Sequence, residues 1–120
     1  MKDRISFIKH HDKPIMFIDF SHCEPKEILL LLDEVQNTVA RHERGSLLTL
    51  ADMTGAHVDR DVVTRMKEVL VHDRPYVKRS AWIGAESVPK VYRENVKSFT
   101  QREYPSFQTR EEAMDWLVKE

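Results

Sequence analysis

The chain has a single cysteine, Cys23, so no disulfide can form within its 120 residues. A lone thiol suits a reducing compartment, and a cytoplasmic location is the expectation. Glycine is scarce as well, with three residues at widely spaced positions. That excludes a glycine-rich phosphate loop, which needs several within a few residues. The longest apolar run, Ile28 to Leu32, is far short of the roughly 20 residues that cross a bilayer. The opening Met1-Lys2-Asp3-Arg4 lacks the apolar core of a secretion signal. Neither sign of charge dominates: 19 basic and 20 acidic side chains leave a net charge of -1. A non-specific nucleic-acid binder would carry a basic excess. Repeats, low-complexity stretches and linkers are missing too.

What remains is the composition of a globular domain, 41% hydrophobic and 32% charged. One domain over residues 1–120 is expected, long enough to bury roughly two-thirds of its unfolded surface. Ile5 to Ile8 alternates and reads as a strand. His10 to Pro14 reads as a polar turn, and Ile15 to Phe20 as a strand buried on both faces. The short connection predicts an antiparallel hairpin.

A helix is predicted to start at Pro25, with Ile28, Leu31, Leu32, Val35 and Val39 on one face and Gly45 as its stop. Leu47 to Ala51 is the next strand. Asp59 or Asp61 caps a second helix with a Val62, Met66, Val69 and Leu70 stripe, ended by Pro75. Val77 to Gly84 is a strand. Ser87 is the expected cap of a third helix, with Val88, Val91, Tyr92, Val96 and Phe99 inward. Ser106-Phe107 is a very short strand. Thr109-Arg110-Glu111-Glu112 is a capping box for a last helix that packs Ala113, Trp116 and Leu117.

Strands separated by helices run parallel with right-handed crossovers. The fold class is therefore α/β. A mixed, mostly parallel sheet of four or five strands is expected, with an antiparallel N-terminal hairpin and about four covering helices.

Chemistry-bearing residues concentrate where the apolar run Leu47 to Ala51 breaks into Asp52-Met53-Thr54-Gly55. The carboxyl ends of strands are where ligands dock in open α/β sheets. Asp19 and Asp52 both end strands, and as parallel neighbours they would face one crevice able to hold a divalent ion. The plainer expectation is that each accepts nearby backbone N–H bonds. Thr54-Gly55 reads as a tight bend, and His57 as a solvated histidine rather than a base. His10 and His11 are adjacent, so on a strand they point to opposite faces, a poor geometry for one metal. His22-Cys23 is a weak metal half-site, and no metal or cofactor is expected. Lys78-Arg79 beside Tyr76 reads as a solvated strand entrance.

Ile18-Asp19-Phe20-Ser21, the leucine-rich helix after it and Leu50-Ala51-Asp52-Met53-Thr54-Gly55 together resemble the SpoIIAA-like family of STAS/Sec14-related domains. Pro75 to Gly84 and Phe107-x-Thr109-x-Glu111-Glu112-Ala113-x-x-Trp116-Leu117 extend that resemblance over nearly the whole chain. It implies a non-catalytic switch module that binds a protein partner. In the family's anti-sigma-factor antagonists, a Ser or Thr at the start of the helix after the third strand is phosphorylated. The matching stretch here, Val58-Asp59-Arg60-Asp61, has no hydroxyl, so the resemblance implies a module without the classical serine phospho-switch. The Sec14 side of the family implies a lipid or small apolar ligand.

The leading expectation is a regulatory module working through protein–protein interaction. Its surface would comprise Asp19, Ser21, Asp52, Thr54, Gly55, His57, Asp59 and Asp61. A small apolar-ligand binder is the alternative. An enzyme built on Asp19, Asp52 and His57 ranks third. A homodimer through the N-terminal hairpin edge is open.

Overall fold

A computed structural model describes residues 3–119. Five strands form one sheet in sequence order: β1 (Ile5–His10), β2 (Lys13–Asp19), β3 (Leu47–Asp52), β4 (Val77–Ile83) and β5 (Ser106–Phe107). β1 runs antiparallel to β2 and every other neighbouring pair is parallel, as the element order predicted. Helices α1 (Pro25–Val39), α2 (Arg60–Asp73), α3 (Lys90–Thr100) and α4 (Arg110–Val118) cover it. No helix is long and apolar enough to cross a membrane among the described residues.

The alternation of side chains along each strand sorts the core into two layers. Met16, Ile18, Ala51 and Trp82 face α1, α2 and α3, where they meet Ile28, Leu31, Val62, Met66 and Val96. Ile15, Phe17, Leu50, Ala81 and Ile83 face the other way and meet Ala113 and Leu117 of α4. Ile15 to Ile18 are therefore buried on both sides, as an unbroken apolar run requires.

α4 is anchored at both ends. Its predicted capping box is present: Glu112 N–H donates to Thr109 Oγ1 (3.1 Å), and Thr109 N–H donates to Glu112 Oε1 (3.2 Å). At the other end, helix carbonyls that lack intrahelical partners are met by cations from the sheet. Lys13 Nζ donates to the Val118 carbonyl (3.1 Å), and Arg79 donates to that of Trp116 (2.9 Å). Arg79 also lies over the Trp116 ring (5.3 Å). The predicted solvated pair thus splits: Lys78 is exposed, and Arg79 ties β4 to α4.

Four local expectations are corrected. The hairpin turn is only His11 and Asp12, both at positive φ (49° and 65°), and Lys13 and Pro14 join β2. Two successive left-handed residues are the signature of the tightest hairpin turn. α1 ends at Val39 with Ala40 still right-handed, so Gly45 is not its stop. Gly45 instead bends the following loop, its N–H donating to the Pro75 carbonyl (2.9 Å).

α3 starts at Lys90 after a short 3-10 turn, Ala85–Ser87, and its N-cap is Pro89 rather than Ser87. Val91 and Phe99 are 64% and 55% exposed, not inward, and α3 buries only Val96 and Thr100. The strand beneath its outer edge, β5, is two residues long, so there is little sheet for those side chains to cover.

Leu50→Ala is expected to lower unfolding free energy by about 3 kcal/mol, because Leu50 is fully buried between the sheet and α4. Val91→Ala should change it by less than about 0.5 kcal/mol. Chemical denaturation of the two variants checks both.

Candidate functional site

The carboxyl ends of β2, β3 and β4 carry the residues singled out from the sequence. Asp19 and Asp52 stand in register on neighbouring parallel strands, so the condition for a shared crevice is met. One oxygen of each is nonetheless committed locally. Asp19 Oδ1 accepts from Ser21 N–H (3.0 Å) and Ser21 Oγ (2.5 Å), with Arg4 at 3.7 Å. Asp52 Oδ1 accepts from Thr54 N–H (2.9 Å). Both carboxylates act as turn-formers, the plainer of the two expectations.

The three strand-end loops then lock into one another. His22 N–H donates to the Thr54 carbonyl (2.9 Å), and Gly55 N–H donates to Ser87 Oγ (2.8 Å). Gly55 and Gly84 have φ of +67° and +71°. A Cβ on Gly55 would run into the His22 ring, and one on Gly84 would run into Thr54, including its backbone. The Thr54-Gly55 bend is thus a packed joint and not an open cradle.

Of the remaining candidates, Asp59 is the N-cap of α2, accepting from Val62 N–H (2.9 Å). Asp61 is exposed in the first turn. His57 Nδ1 pairs with Glu24 Oε2 (2.7 Å) in solvent and does not join Asp19 and Asp52. Cys23 is buried beside an exposed His22 in left-handed conformation, and burial pushes its thiol pKa up. The pair therefore makes no half-site. His10 and His11 depart from strand alternation: His11 lies in the turn, and the two rings meet edge-on with centroids 4.4 Å apart.

An apolar concavity lies elsewhere, on the three-helix face of the sheet. A narrow crevice, partly open to solvent, runs between the sheet and α2. The chain between α3 and β5 bounds it at Arg102 and Tyr104, while Ala51, Trp82, Met66 and Leu70 give it apolar walls. Tyr104 packs against Trp82, with ring centroids 5.7 Å apart.

Three of the polar groups that line it are buried. Thr49 and Ser80 are buried on adjacent strands with hydroxyls 2.6 Å apart. One hydroxyl proton serves that bond, so the second hydroxyl can still donate. The third group is Asp73, the last residue of α2, buried with His72 Nδ1 3.0 Å from its Oδ1. Burial pushes its pKa up to about 6, against the opposing pull of His72 and Arg65. A helix C-terminus disfavours a carboxylate as well. Burial likewise raises the Tyr104 hydroxyl.

None of these groups was singled out from the sequence, although a signal was there. Thr49 lies in the buried run of β3 and Ser80 opens the buried stretch Ser80 to Ile83 of β4, where an apolar side chain is the rule.

Gly84→Ala is expected to cost about 2–3 kcal/mol, from a left-handed backbone that alanine resists plus the collision with Thr54. A thermal melt of the variant reads it. For Asp73 the folded pKa of about 6 lies above the ordinary 3.8. The protonated form is therefore the one that folding favours. Its stabilising contribution is complete below pH 3.8 and is lost as pH rises through about 6. Over that window the wild type should lose up to about 3 kcal/mol relative to Asp73→Asn. Urea unfolding of both proteins across that range checks the slope.

No family model matches the chain, and no curated protein matches it. Among solved structures, it is similar to an uncharacterised protein of the DUF3478 family with a SpoIIAA-like fold from Shewanella loihica PV-4. The superposition has a TM-score of 0.71 at 16% identity, covering 95% of this chain and 92% of that one. The chain has the SpoIIAA-like α/β fold.

Proposed function

We propose that the protein is a non-catalytic binding module that holds a small apolar ligand with one polar end. The observation that carries this reading is the crevice beneath α2, apolar along its walls and polar at Thr49, Ser80 and Asp73. Mostly apolar concavities with a few convergent polar groups are the usual form of a small-molecule site. The non-catalytic part is supported by the divergence of Asp19, Asp52 and His57, each held by its own local partner.

A second reading, docking of a protein partner on the strand-end rim, has one observation in its favour. Asp61 is exposed at the start of α2 and makes no hydrogen bond or ion pair among the described residues. Asp19, Ser21, Asp52, Gly55 and Asp59 are engaged in hydrogen bonds within the rim itself, so the crevice is the better-supported site.

The purified protein should carry an adduct in native mass spectrometry that is lost on denaturation, or gain thermal stability with a medium-chain fatty acid. A ligand at about 100 times its Kd adds about 2.7 kcal/mol to the native state. Leu70→Trp, which fills the crevice from its mouth, should abolish the gain while still unfolding cooperatively. A clean mass together with a melting temperature unmoved by fatty acids, fatty alcohols and sterols sinks the reading.

A further inference from the structure

We propose that His10, His11 and Asp115 form a surface site for a divalent transition metal, of which Zn²⁺ is the reference case. The three residues come from two distant parts of the chain. His10 ends β1, His11 opens the hairpin turn, and Asp115 lies on α4. His10 Nε2 is 2.7 Å and His11 Nε2 3.7 Å from Asp115 Oδ1. All three ligand atoms lie within 4.8 Å of one another. In a tetrahedral zinc site with bonds of about 2.0–2.1 Å, neighbouring ligand atoms are about 3.3 Å apart. Small side-chain rotations reach that spacing: the His10–Asp115 contact loosens by about 0.6 Å and His11 closes in by about 0.4 Å.

The turn makes the convergence possible. On a continuous strand the two imidazoles would diverge to opposite faces. Here the positive φ of His11 (49°) breaks the alternation and turns its ring toward the same carboxylate. Two imidazoles and one carboxylate suit zinc, cobalt, nickel or copper, whereas magnesium and calcium prefer all-oxygen sets. The side chains of His11 and Asp115 are 69% and 59% exposed, so an ion has an entry path and keeps coordination positions open to water. Binding requires both imidazoles neutral and links the hairpin turn to the helix that covers the thin face of the sheet. The site is independent of the crevice, which lies on the opposite face.

Zn²⁺ titration by calorimetry, paired with thermal melts of the same protein at neutral pH, tests it. One ion per chain should bind and raise the melting temperature, chelator should reverse the rise, and Mg²⁺ should have no effect. His11→Asn is the decisive variant, because asparagine is a preferred residue in this turn and the fold is kept. It should weaken Zn²⁺ binding at least about tenfold, as should Asp115→Asn, each judged by the zinc-dependent increment over its own metal-free melt. His57→Ala, which alters another exposed histidine–carboxylate pair, should bind as the wild type does. Undiminished binding in His11→Asn and Asp115→Asn overturns the proposal, and so do a zinc response lost in His57→Ala, an equal response to Mg²⁺, or no zinc-dependent stabilisation of the wild type.

Discussion

Right-handed crossovers between strands laid down in sequence order put every crossover helix on the same side of the sheet. β2 to β5 follow that order without a reversal, so α1, α2 and α3 crowd one face. Only α4, which follows the last strand and crosses nothing, is left for the other. This asymmetry governs the rest of the molecule. The crowded face is thick enough to enclose a crevice. The thin face is covered by nine helical residues and by cations that lie across its edge, with Arg110 over the Phe17 ring (4.2 Å) and Arg79 over Trp116 (5.3 Å).

The same order explains why the strand ends make a poor site. In doubly wound sheets, the loops on either side of a reversal in strand order splay apart and leave a cleft. Without a reversal, consecutive loops fold over each other in one direction. The β2, β3 and β4 loops do so, closed by the backbone bond from His22 to Thr54 and by the glycines at 55 and 84. The carboxylates there stabilise turns because the loops leave no opening for them to face. The apolar crevice opens instead where α2 lies over the sheet and the chain after α3 returns to pair with β4.

The sequence carried the fold further than the site. Helical spacing in α1 and α2, the capping box at Thr109 and the unbroken apolar run of β2 all report burial that is local in origin, and all are found where the spacing put them. α3 failed that logic at Val91 and Phe99, because how much of a helix is buried depends on the width of the sheet beneath it, which one helix's periodicity does not encode. His10 and His11 failed it for a related reason: alternation holds within a strand, and the turn begins between them. The crevice is a product of strand order. Thr49 and Ser80 meet only because β3 and β4 are neighbours in register, and Asp73 lines the same crevice only because α2 lies across both.

The thin face also accounts for where the polar contacts of α4 fall. A nine-residue helix in isolation would be marginal in water, so its stability has to come from tertiary contacts. Ala113 and Leu117 are fully buried, and Met114, Trp116 and Val118 pack partly buried against the same core. The polar contacts are the capping box at the start, Lys13 and Arg79 on the final carbonyls, and His10 on Asp115 along the side. Three of those four links run back to the sheet, two of them to the hairpin. α4 and the β1–β2 turn are therefore held as one unit, and a ligand bridging that pair acts on the cover of the thin face. A ligand in the crevice acts on the thick face, with the sheet between them.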